Sequence, residues 1–242
     1  MKPIFASLLL LGLGLAACGG SPLDPGAGSQ TGGGTNTLLV NGTASATPRI
    51  TNALAATDFN TEFNVRVSLN NVPVTTGTVT MKSTFVSVVL TWQDNGNNTG
   101  HWQGTAAGYD QAYQLDVTSG ADSVTGVIVD GPDIHAITAP TAGASLDSTM
   151  PITTTWNRAN AADEARVAAT GDGGGDGIVV PDTGSYVIAP GTLHADKAQS
   201  RTNTLRITRT NRVTPAFAVT GSLVSVSVAN EVDVVALPCP SC

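Results

Sequence analysis

Phe63-Asn64-Val65-Arg66-Val67-Ser68-Leu69 decides the fold. Apolar side chains stand at every second position with polar ones between them, the period of a strand with one buried face. Asn70-Asn71 then signals a turn, and the alternation restarts at Val79 and Met81, at Val86, Val88 and Leu90, and at Tyr113, Leu115 and Val117. Asp94-Asn95-Gly96-Asn97-Asn98 and Ser119-Gly120-Ala121-Asp122 are turn-forming clusters between these runs. Val127-Ile128-Val129 reads as the last or near-last strand of the series. Short strands punctuated by turns at this spacing predict an all-β sandwich.

After Gly131-Pro132 and Ala139-Pro140 a second series begins. Pro151-Ile152-Thr153-Thr154-Thr155-Trp156 leads it, with Tyr186-Val187-Ile188, Leu205-Arg206-Ile207, Phe217-Ala218-Val219 and Leu223-Val224-Ser225-Val226-Ser227-Val228 following, and Val232, Val234 and Val235 at the end. Residues 161–166 read either as a strand or as one or two helical turns. Trp156, inside an alternating strand, is expected to bury its ring. The restart predicts two tandem sandwich domains, residues 37–138 and 139–237, followed by a tail at 238–242.

Two resemblances add to this. In the second half, Pro140-Thr141-Ala142-Gly143, Ile152-Thr153-Thr154-Thr155-Trp156 and Asp182-Thr183-Gly184-Ser185-Tyr186 resemble immunoglobulin-like or fibronectin type III-like modules of bacterial surface proteins. In the first half, Phe63-Asn64-Val65-Arg66-Val67 and Val72-Pro73-Val74 ahead of Val79-Thr80-Met81 are similar to bacterial immunoglobulin-like or transthyretin-like modules. The resemblance implies a sandwich and no particular ligand, since fold does not dictate function.

At the N-terminus, Lys2 precedes an apolar run from Ile4 to Leu15 and then Leu15-Ala16-Ala17-Cys18. A basic start, about 12 apolar residues and a small-residue site make a secretory signal, too short for the roughly 20 residues of a membrane-spanning helix. The tetrapeptide resembles the lipobox of bacterial lipoproteins. That resemblance implies a signal peptide of residues 1–17, cleavage before Cys18, and a membrane anchor of acyl chains on that cysteine. Two or three chains hold durably where one is marginal. Gly19, where other lipoproteins carry aspartate, resembles those sent on to the outer membrane. Residues 19–36 hold seven glycines, so residues 18–36 read as a lipidated cysteine followed by a flexible tether. A coil of that length has a root-mean-square span of roughly 23 Å and would let the fold stand off the bilayer.

Cutting before Cys18 takes Lys2 from the 11 basic residues, leaving 10 against 18 acidic ones and a formal charge of −8. An acidic chain offers no basic face for nucleic acid. His101, His135 and His194 stand in no HExxH or GxSxG context. Gly171-Asp172-Gly173-Gly174-Gly175-Asp176-Gly177 places Asp172 and Asp176 at two ligand positions of a calcium loop. Gly174 and Thr183 stand where the loop needs further ligands, so these are weak calcium candidates and no cofactor is expected.

Arg201, Arg206, Arg209 and Arg212 crowd into twelve positions. Arg206 faces opposite to Leu205 and Ile207 on a strand, so the group reads as a charged outer face, the sharper alternative being a contact with anionic lipid or polysaccharide. Cys239 and Cys242 have a spacing shared by redox dithiols, zinc half-sites and local disulfides. The oxidising compartment implied by export favours a local Cys239–Cys242 disulfide.

Together these features predict a non-catalytic, lipid-anchored envelope protein that binds, adheres or scaffolds, with an envelope protein or polysaccharide as its partner. The alternative is a calcium-dependent ligand binder or a hydrolase on the same sandwiches.

Overall fold

The strand Phe59–Leu69 buries Phe59, Thr61, Phe63, Val65 and Val67 and turns Asn60, Glu62 and Arg66 to solvent, so alternation in the sequence becomes one buried face. The computed structural model describes residues 23–96, 99–170 and 177–239. In chain order the strands are β1 Gln30–Gly34, β2 Leu38–Pro48, β3 Phe59–Leu69, β4 Val72–Pro73, β5 Thr78–Ser83, β6 Ser87–Val89, β7 Thr91–Gly96, β8 Thr99–Ala107 and β9 Ala112–Ser119. They continue with β10 Asp122–Asp130, β11 Ile137–Ala139, β12 Ser145–Leu146, β13 Ile152–Trp156, β14 Glu164–Thr170, β15 Ile178–Val180, β16 Ser185–Ile188, β17 Arg201–Val213 and β18 Leu223–Ala236. A single 3-10 turn, Ala56–Asp58, is the one helical piece among the described residues. The protein is all-β, as its alternation predicts.

A ten-stranded sheet runs β15-β14-β17-β18-β2-β3-β8-β7, with β12 beside β18 and β4 beside β3. A five-stranded sheet, β1-β10-β9-β5-β6, covers one half of it, and a three-stranded sheet, β11-β13-β16, covers the other. Between the first pair lie Phe63, Val65, Leu115, Val117 and Val127, with the Phe63 and Tyr113 rings edge to face at 5.6 Å. Between the second pair lie Ile152, Trp156, Leu205, Ile207 and Val234. Residues 164–170 form β14 because Ala165 and Val167 point into this second core while the backbone pairs with β17 from Glu164↔Thr210 to Thr170↔Thr204.

The two cores do not divide the chain at residue 138. Strand β18 spans both. Its first half, Leu223 to Val228, lies parallel to Asn41–Ala46 of β2, and Val224, Val226 and Val228 join the first core together with Val213. Its second half gives Val232, Val234 and Ala236 to the second core. Residues 213 and 224–228, which the sequence places in the second domain, thus complete the first.

The tether is also shorter than its composition suggests. Gly28 N–H donates to Asp130 Oδ2 at 2.7 Å, Ser29 Oγ accepts from Asp130 N–H, and Gln30–Gly34 is an edge strand paired with β10. Glycine here serves close approach rather than slack. A Cβ on Gly32 would lie 2.4 Å from the Thr125 carbonyl oxygen and one on Gly34 2.4 Å from that of Ser123, and Gly32 has a φ of +73°. The 18-residue coil that would separate anchor from fold is therefore not present in that form.

Candidate functional site

Strand β17 alternates inward residues Asn203, Leu205 and Ile207, and the next inward position is Arg209. Its side chain is fully buried, which corrects the expectation of an outer-face cation. Arg209 Nε donates to Asp182 Oδ2 at 2.9 Å, Nη1 to the Asp133 carbonyl at 2.7 Å, and Nη2 to the Asn160 carbonyl. Asp182 also accepts from Trp156 Nε1 at 2.8 Å and from Ala162 N–H at 2.7 Å. Burial works to raise the Asp182 carboxyl, but these hydrogen bonds and the guanidinium charge outweigh it and hold it below the usual carboxylate range. Trp156 is a core residue, 3% exposed.

The other three arginines of this group are partly exposed, Arg206 and Arg212 on the outward parity and Arg201 at the strand's start, and each has a carboxylate: Arg201 with Asp196 at 3.1 Å, Arg206 with Glu231 at 2.7 Å, and Arg212 with Glu164. Exposed pairs of this kind contribute little to stability. Cys239 is buried and disulfide-bonded, and its N–H donates to the Asp196 carbonyl at 2.8 Å. Cys18, Asp172, Asp176 and Cys242 lie outside the described residues. Among the described residues no group of three or more His, Cys, Asp or Glu is placed to hold a metal.

Beside the Arg209 network opens a cleft of about 650 Å³, walled by Phe85, Tyr109, Asp110, Asp133 and Arg158 with Pro25 at its lip. A second hollow of about 380 Å³ continues it, sharing Pro25, Gln111 and Asp133 and adding Asn160 and Asn211. The cleft sits where the chain passes from the first core to the second, at Gly131-Pro132-Asp133. Tyr109 O–H donates to the Pro132 carbonyl at 2.7 Å, and burial pushes its phenol well above the ordinary value. Asp133 accepts from Ala159 N–H at 2.9 Å and Asn160 N–H at 3.3 Å and lies 3.2 Å from Arg209 Nη1. Desolvation opposes its ionisation, and these bonds with the Arg209 charge outweigh it, so its carboxyl stays charged below the usual range. Asp110 Oδ2 accepts from Thr84 N–H at 2.9 Å, which ties the turn carrying Phe85 to the cleft wall. The cleft is thus a concave surface whose Asp133 and Asp110 carboxylates are held by backbone N–H groups.

Under the cleft, His135 is fully buried, with Nε2 donating to the Ile207 carbonyl at 3.1 Å and Nδ1 without a partner. Burial first, and then the nearby Arg209 charge, lower its pKa to about 4. Asn230 locks the same region: its Nδ2 donates to the carbonyls of Ala53 and His135, and its Oδ1 accepts from Ala53 N–H. A proton on His135 would place a charge at the buried, unpartnered Nδ1. The unfolded chain takes that proton at pH about 6.5 and the folded one only at about 4, so stability is whole above pH 6.5 and falls as pH drops towards 4. At pH 4.5 the loss is expected to reach about 2 to 3 kcal/mol from this group. Urea midpoints at pH 7.5 and 4.5 measure it, and a His135→Gln protein should show a much flatter dependence. An equal fall in both proteins would remove His135 as the cause.

Sequence reasoning did not single out Phe85, Asp110 or Asp133, and it read Asp182 only as part of the stretch that resembles an immunoglobulin-like module. Asp133 lies in a Gly-Pro-Asp break read only as punctuation, and Phe85 lies in a turn between two alternating runs, where no burial pattern assigns it. Arg209 alone carried a usable signal, its shared parity with Leu205 and Ile207. No family model and no curated protein matches this chain.

Proposed function

We propose that this protein is a lipid-anchored component of the bacterial envelope, held at the outer membrane through acylated Cys18, that acts as a non-catalytic binding or scaffold module. The observation that carries this reading is the Leu15-Ala16-Ala17-Cys18 tetrapeptide behind Lys2 and its apolar run. The cleft supports the binding half of it. Asp133, Asp182 and Asp110 spend their oxygens on backbone N–H groups, Trp156 and Arg209, which suits a fixed recognition surface. An envelope protein or polysaccharide is the partner class proposed for it. With Cys18 in thioether linkage, Cys242 is the cysteine left to pair with Cys239, as a terminal clasp.

Intact mass of the membrane-fraction protein tests the anchor. The wild type is expected to begin at Cys18 and carry added acyl mass, and Cys18→Ser is expected to accumulate as the unprocessed precursor. A wild-type protein beginning at Cys18 without added mass would overturn the reading.

A further inference from the structure

We propose that Phe85 inserts into the lipid interface beside the anchor, so that the turn between β5 and β6 is a second, built-in membrane contact. This rests on the reading of Cys18 as acylated. Phe85 is 87% exposed, the most exposed of the large apolar residues described. Its turn is firmly held: Ser83 N–H donates to the Val86 carbonyl at 2.7 Å, Ser83 Oγ accepts from Val86 N–H at 3.3 Å, and Thr84 N–H is bound by Asp110. A phenyl ring held in water on this turn gains free energy from any apolar surface that covers it.

The chain itself indicates which one. Thr84 Oγ1 donates to the Leu23 carbonyl at 3.1 Å, so the polypeptide leaves the lipid-bearing end directly at this turn. Cys18 is five residues before Leu23, and five residues of fully extended chain reach at most about 18 Å. The Cys18 backbone therefore lies within about 18 Å of Leu23, whose carbonyl the Thr84 hydroxyl holds. Pro25 and Ala56 line the same cleft as Phe85, and Leu54 (64% exposed) and Ile50 (56%) lie on the segment leading to Ala56. One end of the molecule thus gathers its start, a projecting aromatic ring and exposed aliphatic side chains. Aromatic and aliphatic side chains sit favourably at the headgroup and acyl boundary, and durable anchoring combines separate membrane signals. In this orientation the cleft mouth lies beside the bilayer.

The test uses full-length, lipidated Phe85→Trp protein in phosphatidylcholine vesicles with and without acyl chains brominated near the headgroup. Wild type, with Trp92, Trp102 and Trp156, supplies the baseline to subtract. The added emission is expected to shift to the blue and to be quenched in brominated vesicles relative to unbrominated ones. Protein that floats with the vesicles and carries acyl mass, yet shows no quenching of the added tryptophan, overturns the Phe85 contact and leaves the anchor standing. Wild-type protein without acyl mass overturns both.

Discussion

Replacing Arg209 by methionine is expected to destabilise the protein by about 3 to 5 kcal/mol, the usual cost of removing one partner from a buried ion pair. Three losses coincide. The Asp182 carboxylate keeps its charge in a site closed to solvent, and the carbonyls of Asp133 and Asn160 lose their donors. Arg206→Met is the control, since Arg206 is about half exposed beside Glu231 and exposed pairs contribute only ~0 to 1 kcal/mol. A second substitution, Asp182→Asn, made on Arg209→Met, should recover part of the loss. It removes the stranded charge and still offers an acceptor to Trp156 Nε1, which now donates to Asp182 Oδ1. Urea unfolding of the four proteins at pH 7.5 measures this. Equal costs for Arg209→Met and Arg206→Met would mean that burial of the Arg209 pair has been misjudged.

The contrast between these two arginines also shows how far the sequence could be read. Alternation gave the strands, because a period of two is a direct imprint of a half-buried sheet: Phe63, Val65 and Val67 are inside and Arg66 is outside. The same rule assigns Arg206 to solvent and, carried three residues on, Arg209 to the interior. A charged residue among Thr and Asn reads as surface because burying it requires partners, and Asp182 and Asp133 are supplied from segments 27 and 76 residues away. Periodicity is local and cannot report such pairings. Gly32 and Gly34 misled for a related reason. A flexible coil and a strand pressed against a neighbouring backbone both call for residues without a side chain, and only the position of Thr125 and Ser123 separates them. The cleft was beyond reach altogether, since Phe85, Asp110, Asp133 and Arg158 meet only once the two cores are joined.

That joining predicts the fate of the chain when cut at the Pro-rich break. Expressed alone, residues 23–138 are expected to lack a cooperative unfolding transition and to bind a hydrophobic dye, although their strands alternate correctly. They lose Val213, Val224, Val226 and Val228 from the first core, all at most 9% exposed in the whole chain. At about 1.5 kcal/mol or more for each valine, burial worth roughly 6 kcal/mol disappears, which is comparable with the entire net stability of an ordinary domain. The cut also opens β2 along Asn41–Ala46, where its parallel partner had satisfied the backbone. Residues 139–239 alone carry the matching defect, an apolar half-strand with nothing to cover it. Mixed or co-expressed, the two fragments should restore a β-type far-ultraviolet spectrum and one transition, since the β2 and β18 ladder can form between separate chains as well as within one. Two fragments that each unfold cooperatively without the other would show that β18 is dispensable to the first core. The parallel pairing would then be an accessory to two self-sufficient sandwiches.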